Sequence, residues 1–304
     1  MLELMLSAAF PGARLLHHEP LPDGHRNTNY KLQIDRLAVP VVLRIYQHEA
    51  WLCRKELDLL QLLRPSVPVP EVIYAAPEGI DDSLPFLLMS FIDGVSFRQL
   101  RRAGETDAIA QAAFSAGETL AAIGRTSFSK PGWLGPGLSV IAPLLEGDDP
   151  IPRFIDQCLA SGPAQLRLTA NLRARIHSLI WSQAPALADA ARQSRLVHGD
   201  FHKRNLLVHQ LHGRWKVAGV LDWEFSISSS PLTDIGNFLR NEPASFPLAE
   251  PHFSAGFLHA GGTLPEDWRR QSQLIDLTAI CELLSRTDLP THITSELLQV
   301  LQAT

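Results

Sequence analysis

Apolar positions recur along this chain with two periods, and the changeover divides it into a strand-rich start and a helical remainder. Tyr30, Leu32 and Ile34 alternate with polar neighbours, Asp35-Arg36 reads as a turn, and Val39–Tyr46 follows as a second strand, so a hairpin is predicted here. Over residues 49–64 the spacing switches to that of a helix, with Leu52, Leu59, Leu60 and Leu63 on one stripe, until the prolines at 65, 68 and 70 stop it. Val72–Ala76 and Phe86–Phe91 are two further strands bracketing the loop Pro77–Pro85. Beyond Gly94 helices dominate: Asp107–Arg125, Pro152–Leu159 and Leu166–Gln183, with the Gly- and Pro-rich residues 126–150 expected to form one long loop. Three apolar runs then interrupt the helices, at Leu196–Val197, Leu206–His209 and Trp215–Leu221, the last two joined by a turn at Gln210–Gly213. A helix opens near Pro231–Asp234, and residues 252–304 close the chain with helices, of which Leu274–Leu284 has the clearest pattern. Segregated strands and helices predict an α+β protein.

Composition narrows the class. The 304 residues are 45% hydrophobic and 19% charged, the make-up of an ordinary globular chain with a substantial core. A net charge of −5 gives no general attraction to nucleic acid, so no nucleic-acid partner is expected. No uninterrupted apolar run reaches the length of a membrane span, so no membrane association is expected either. The first residues, MLELMLSAAF, lack a basic start and carry Glu3, which favours a first helix or strand over a signal peptide. Cys53, Cys158 and Cys281 are odd in number and far apart, the pattern of packing residues in a reducing, cytoplasmic setting.

The candidate chemistry sits among the three late apolar runs. Leu196–Val197 leads into HGDFHKRN, so that His198, Asp200 and Asn205 share one connection, and Trp215–Leu221 delivers Asp222 at its end. A hairpin here brings Asp200 and Asn205 near Asp222. The spacing D-x-x-x-x-N with a second carboxylate suits phosphoryl transfer: one carboxylate accepts the proton of an incoming hydroxyl, while an amide oxygen and the other carboxylate hold magnesium against nucleotide phosphates. His202 and Lys203 lie inside the same loop as candidates for the γ-phosphate or the acceptor.

HGD-x-x-x-x-N followed by an apolar strand ending in Leu221-Asp222-Trp223 resembles the aminoglycoside phosphotransferase and choline kinase-like family. The resemblance implies a two-lobed protein-kinase-like fold, with a small antiparallel-sheet N-lobe at residues 1–91, a hinge at about 89–94, and a larger, mostly helical C-lobe at 92–304. It implies ATP or GTP with Mg2+ as cofactors. Asp200 would be the proton acceptor, Asn205 and Asp222 the magnesium ligands, and His198 a residue that fixes the loop. Gly24, Asn27 and Tyr30 match the family's G-x-x-N-x-x-Y loop over the phosphates. Arg44, in a Leu43-Arg44 pair, stands where kinases keep a phosphate-binding lysine, and a guanidinium suits that task. Glu56 is its candidate partner, with Glu49 the rival. Ser90, Phe91 and Ile92 would present backbone groups to the nucleobase, with Met89 behind them. Asp234 corresponds to an aspartate that supports the catalytic loop, and it also counts with His202 and Glu224 among possible substrate contacts. Where the family often ends the long helix with Leu-His, this chain has Ile123-Gly124.

The acceptor is expected to be a small molecule with a hydroxyl group. Gly199 replaces the arginine that reads a phosphorylated loop in protein kinases, and no A-P-E element follows Asp222, so no obligatory protein partner is expected. Glu224, Glu242, Glu250, Asp267, Asp276 and Glu282 could draw a cationic acceptor such as an aminoglycoside; choline, homoserine or a sugar-like metabolite is the alternative. A different reading takes His198, Asp200 and His202 as three ligands of a zinc hydrolase. A third makes the chain a nucleotide-binding regulatory module without catalysis.

Overall fold

A computed structural model of the chain describes residues 2–21, 26–242 and 248–303. The N-terminal stretch forms helix α1 (Leu2–Ala9), strands β1 (Leu15–Leu21), β2 (Asn27–Ile34) and β3 (Val41–Tyr46), helix α2 (Trp51–Leu63), and strands β4 (Val72–Ala76) and β5 (Phe86–Ser90). The five strands make one antiparallel sheet in the order β1-β2-β3-β5-β4.

Strand alternation assigns the two faces of that sheet. Val41, Leu43 and Ile45 of β3, with Phe86 and Leu88 of β5, pack with Met5 of α1 into one apolar cluster. The intervening residues point the other way. Tyr46, Leu87 and Met89 join the core that contains α2, and Val42 and Arg44 line a cleft. Arg44 therefore faces the cleft because it lies between Leu43 and Ile45, both committed to the opposite side.

The rest of the chain contributes β6 (Val95–Ser96), α3 (Phe97–Ala103), α4 (Thr106–Ile123), β7 (Gly132–Leu134), β8 (Val140–Ala142), α5 (Pro150–Ala160), α6 (Gly162–Arg167), α7 (Ala170–Ser182) and α8 (Ala184–Arg192). It continues through β9 (Arg195–Val197), β10 (Leu206–Leu211), β11 (Arg214–Val220), β12 (Ile227–Ser229), α9 (Leu232–Leu239), α10 (His252–His259), α11 (Trp268–Ser285) and α12 (Thr291–Ala303). The expected hairpin at 206–220 is present as β10 and β11, and β6 pairs with β10 on its other edge. A four-stranded sheet, β8-β7-β12-β9, carries the strand that leads into HGD.

Two local expectations are corrected, and one helix is new. Residues 126–150 are not one loop: Gly132 to Ala142 hold a short hairpin, and Trp133 of β7 pairs with Ile227 of β12. Leu166–Gln183 is not one helix, because Thr169 in an extended conformation caps α7 through its side chain, accepting from Leu172 N at 3.2 Å. Helix α8, with Pro185 in its first turn, was not foreseen at all.

Candidate active site

The candidate catalytic loop is held at its start by two groups that never touch solvent, Asp234 and His198. Val197 is the last residue of β9, and the backbone N–H groups of His198 and Gly199 donate to the two carboxylate oxygens of Asp234, at 2.7 and 3.0 Å. Asp234 lies in the first turn of α9 and is fully buried; burial raises its pKa to about 7 against the pull of those N–H donors. It does not line the cleft, so its place among substrate contacts is corrected to support of the loop. Gly199 sits at φ +80°, and a Cβ there would fall 2.3 Å from Phe225 O, which leaves glycine as the residue that fits.

His198 is also fully buried. Its Nδ1 accepts from Asp200 N at 3.2 Å, which places the ring proton on Nε2, 2.9 Å from Leu221 O. Burial lowers its pKa to about 4, so the ring stays neutral and ties the loop to the end of β11. With both nitrogens occupied it carries no proton to the cleft, and it belongs with the positioning residues rather than the catalytic ones.

Asp200, Asn205 and Asp222 come together as the hairpin reading required. Asn205 Nδ2 donates to Asp200 O at 3.0 Å and Oδ2 at 2.8 Å, while Leu221 N donates to Asn205 O at 2.9 Å. That last bond sets Asn205 against the residue preceding Asp222. Asp222 itself adopts a left-handed conformation (φ 67°, ψ 68°), uncommon for a residue other than glycine, and turns its carboxylate into the cleft. Burial, then Asp222, raises Asp200 to about 7. The same two causes raise Glu224 to about 7. Asp222 thus stands close enough to Asp200 and to Glu224 to raise each of them, and a divalent cation beside Asp222 would relieve that repulsion.

The opposite wall supplies the cation of the chain itself. Arg44 Nη2 lies 2.6 Å from Asp222 Oδ1 and 3.7 Å from Glu224 Oε2, and its Nε lies 3.1 Å from Glu56 Oε2. Burial works against the guanidinium charge, but Glu56 and Asp222 outweigh it and hold the pKa above its ordinary value. Glu56 is buried, accepts from Tyr46 OH at 2.6 Å, and is Arg44's partner in the fold. Glu49 instead pairs with Arg26. Glu224 accepts from Asn27 Nδ2 at 2.8 Å, so it faces the Arg44 side of the cleft and not the acceptor side. Gly24 lies outside the described residues.

Two expectations change, one for a side chain and one for a backbone group. Lys203 turns away from the cleft: its Nζ donates to Phe238 O and, at 3.2 Å, to Arg240 O, capping the C-terminal end of α9. Ser90 is engaged with β4's neighbour Glu71, its N–H donating to Glu71 O at 2.8 Å and its Oγ accepting from Glu71 N at 2.9 Å. Phe91 and Ile92 follow the end of β5, line the cleft, and spend no backbone group on another described residue. His202 lies beside Asp200, Nε2 to Oδ1 at 3.5 Å, and burial lowers its pKa to about 4.

Sequence reading missed Lys55 and Arg240. Lys55 is buried on α2 with Nζ 2.9 Å from Glu224 O, and burial lowers its pKa to about 8. The signal was present: Lys55 and Glu56 both interrupt the apolar stripe that runs from Leu52 to Leu59. Arg240, after α9, grips Asp276 of α11 through two bonds of 2.6 and 2.5 Å, lines the cleft, and lowers the pKa of Asp200 by its charge. Nothing local in the sequence marks it.

The zinc-hydrolase arrangement does not form, because His198 aims both nitrogens into the fold and no three His, Cys, Asp or Glu side chains converge on a metal site among the described residues. Among those residues no helix is long and apolar enough to cross a membrane.

Comparison with known proteins bears on the fold and the family. A stretch of 124 residues is 32% identical to "Probable acyl-CoA dehydrogenase IBR3" of Arabidopsis thaliana, taking in 38% of this chain but only 14% of that protein. The structure of the GDP complex of wild-type aminoglycoside 2'-phosphotransferase-IIIa superimposes with a TM-score of 0.70 at 17% identity, covering 99% of this chain and 96% of that one. A thermostable mutant of aminoglycoside phosphotransferase APH(4)-Ia, in ternary complex with AMP-PNP and hygromycin B, superimposes with a TM-score of 0.65 at 18% identity, covering 99% and 98%. At such identities the likeness shows the two-lobed, kinase-like fold. The model of the phosphotransferase enzyme family matches residues 17–274, and on that match, over most of its length, the chain belongs to this family.

Proposed function

We propose that this chain transfers the γ-phosphoryl group of ATP or GTP to a hydroxyl group of a small molecule, with Mg2+ as cofactor. The observation that carries the reading is the closure of Arg44 on Asp222, which brings the candidate phosphate-binding cation of one wall onto the candidate metal ligand of the other. The working division is a nucleotide-binding lobe at residues 1–91 and a catalytic lobe at 92–304.

In this mechanism the acceptor hydroxyl lies against Asp200. Its oxygen attacks the γ-phosphorus as its proton passes to the Asp200 carboxylate, the bond from phosphorus to the β–γ bridging oxygen breaks, and ADP or GDP leaves with that electron pair. Asn205 Nδ2 holds Asp200 in place, and the Arg240 charge lowers its pKa. Magnesium would be held by the Asp222 carboxylate and Asn205 Oδ1, and when bound it neutralises charge on the phosphate oxygens. Arg44, kept in position by Glu56, adds fixed positive charge where negative charge builds up on the phosphate oxygens. Phe91 and Ile92 offer backbone groups to the base. A purely regulatory role is disfavoured by the presence of both Asp200 and Asp222 in one cleft.

Of the two acceptor readings, a non-antibiotic metabolite is favoured over an aminoglycoside. Each carboxylate that might have drawn a polycation is engaged. Glu242 accepts from Ala249 N at 2.6 Å, Glu250 pairs with Arg269, Asp267 accepts from Gln271, Asp276 binds Arg240, and Glu282 pairs with Arg286. Release of ADP or GDP, followed across aminoglycosides, choline, homoserine and other small alcohols with magnesium present, tests the proposal. Nucleoside diphosphate release that no alcohol stimulates would refute it.

A further inference from the structure

Resting on the phosphotransfer reading, we infer that the acceptor is an alcohol carried on an apolar body without net positive charge, bound along the wall formed by the β7–β8 hairpin, α5 and α11. The cleft has a volume of about 1440 Å3, far more than the nucleotide half alone requires. Its second half adjoins Asp200 through the sheet order β8-β7-β12-β9, since β9 runs directly into the catalytic loop.

The lining of that half is mostly apolar. Trp133 and Ile141 on the hairpin, Leu144 and Leu145 after it, Phe154 of α5 and Leu283 of α11 all face the cavity. Trp133 and Ile141 are 44% and 57% exposed, so two large side chains of one hairpin stand in the cleft uncovered by the rest of the fold. The carboxylate in this half is Glu282, and it is held by Arg286 at 2.9 Å. A polycation entering here would lose hydration against apolar walls and meet no unpaired carboxylate in exchange, an unfavourable combination. An apolar body instead gains by removing its own surface and those of Trp133 and Ile141 from water.

A second observation points to where the acceptor's polar head lies. Asn237 of α9 lines the cleft and is nine-tenths buried, yet its Oδ1 has no hydrogen-bond partner among the described residues. A buried carbonyl left in this state is destabilising, and a donor on a ligand relieves it. Asn237 is one turn beyond Thr233 on the same helix, and both line the cleft with Asp200. An O–H or N–H near the reacting hydroxyl therefore meets Asn237, while the apolar body runs toward Trp133 and Ile141.

The test uses acceptors of one chain length that differ in charge: ω-hydroxydodecanoate, its primary amide and ω-aminododecanol, with kanamycin as the polycationic comparison. Phosphoryl transfer is followed by ADP release with magnesium and ATP, and acceptor binding by calorimetry on protein loaded with ADP and magnesium. The acid or the amide is expected to exceed both amines by about 10-fold or more in kcat/KM or affinity. Ile141→Asp is expected to raise KM for the favoured acceptor by about 10-fold, with Ile141→Leu close to the parent, and Asn237→Leu to raise it again. Preference for kanamycin or ω-aminododecanol overturns this inference and leaves phosphotransfer standing. So does absence of binding by both the acid and the amide when nucleotide binds normally. Loss of metal-dependent nucleotide binding in the parent protein would instead remove the phosphotransfer reading.

Discussion

Arg44 and Asp222, 178 residues apart in the chain, meet through a 2.6 Å hydrogen bond across the cleft. The same guanidinium neutralises Glu56, which is buried and accepts from Tyr46 OH. Arg44→Ala is expected to lower unfolding free energy by about 3–5 kcal/mol, because it strands a buried carboxylate. It should also weaken nucleotide binding by about 10- to 100-fold. Adding Glu56→Gln should recover part of the stability and none of the nucleotide affinity. Urea denaturation and nucleotide titration separate the two effects.

Asp200 and Asp222 should fail differently. Asp200→Ala removes the proton acceptor, so turnover should drop by about 10²–10⁴-fold while nucleotide affinity stays near the parent value. Asp222→Ala should weaken nucleotide binding in the presence of magnesium and leave metal-free binding less affected. Wild-type rates in both variants would end the assignment.

With Asp200 raised to about 7, kcat/KM should rise with pH across neutrality, since only the ionised carboxylate accepts the hydroxyl proton. A flat profile between pH 6 and 8, of the order of the shift involved, would count against Asp200 as the base.

His198 couples stability to acid. Its pKa falls from 6.5 unfolded to about 4 folded, so between those values the unfolded chain binds a proton that the native state refuses. Its contribution is intact above the unfolded value and is lost as pH falls from there toward 4. Asp234, Asp200 and Glu224, each raised to about 7, act with the opposite sign and His202, lowered to about 4, with the same sign, so the parent protein's own profile is a sum of all of them. The comparison of parent with His198→Gln isolates the first: the variant should lose less stability on acidification over that window.

The clamp on the catalytic loop can be loosened at either side. Asp234→Asn points an amide N–H at a backbone N–H and is expected to cost about 1–3 kcal/mol and to lower kcat more than it changes the KM for nucleotide. Gly199→Ala meets Phe225 O at 2.3 Å and should be at least as damaging, detectable as lost activity in protein that still melts cooperatively.

Much of the site could be read in the chain because its signals are local. Asp200 and Asn205 lie within one short loop, Asp222 ends the adjoining strand, and hairpin pairing of β10 with β11 brings them together with little else required. Arg44 was legible as a charged position inside an apolar strand, and Glu56 as one inside an apolar helical stripe. Choosing Glu56 over Glu49 needed the tertiary structure, since both lie on or beside the same helix and only its rotation against β3 decides which one reaches Arg44.

The segregation of sheet from helix, the β2–β3 and β10–β11 hairpins and the spacing of the three catalytic candidates were determined by the sequence alone, through periodicity and turn chemistry that act over a few residues. The direction of Lys203, the seat of Arg240 on Asp276, and the apolar wall raised by Trp133 and Ile141 were decided by tertiary structure. Each depends on which distant surface a side chain meets once the helices pack, and a residue's neighbours in the chain carry no record of that.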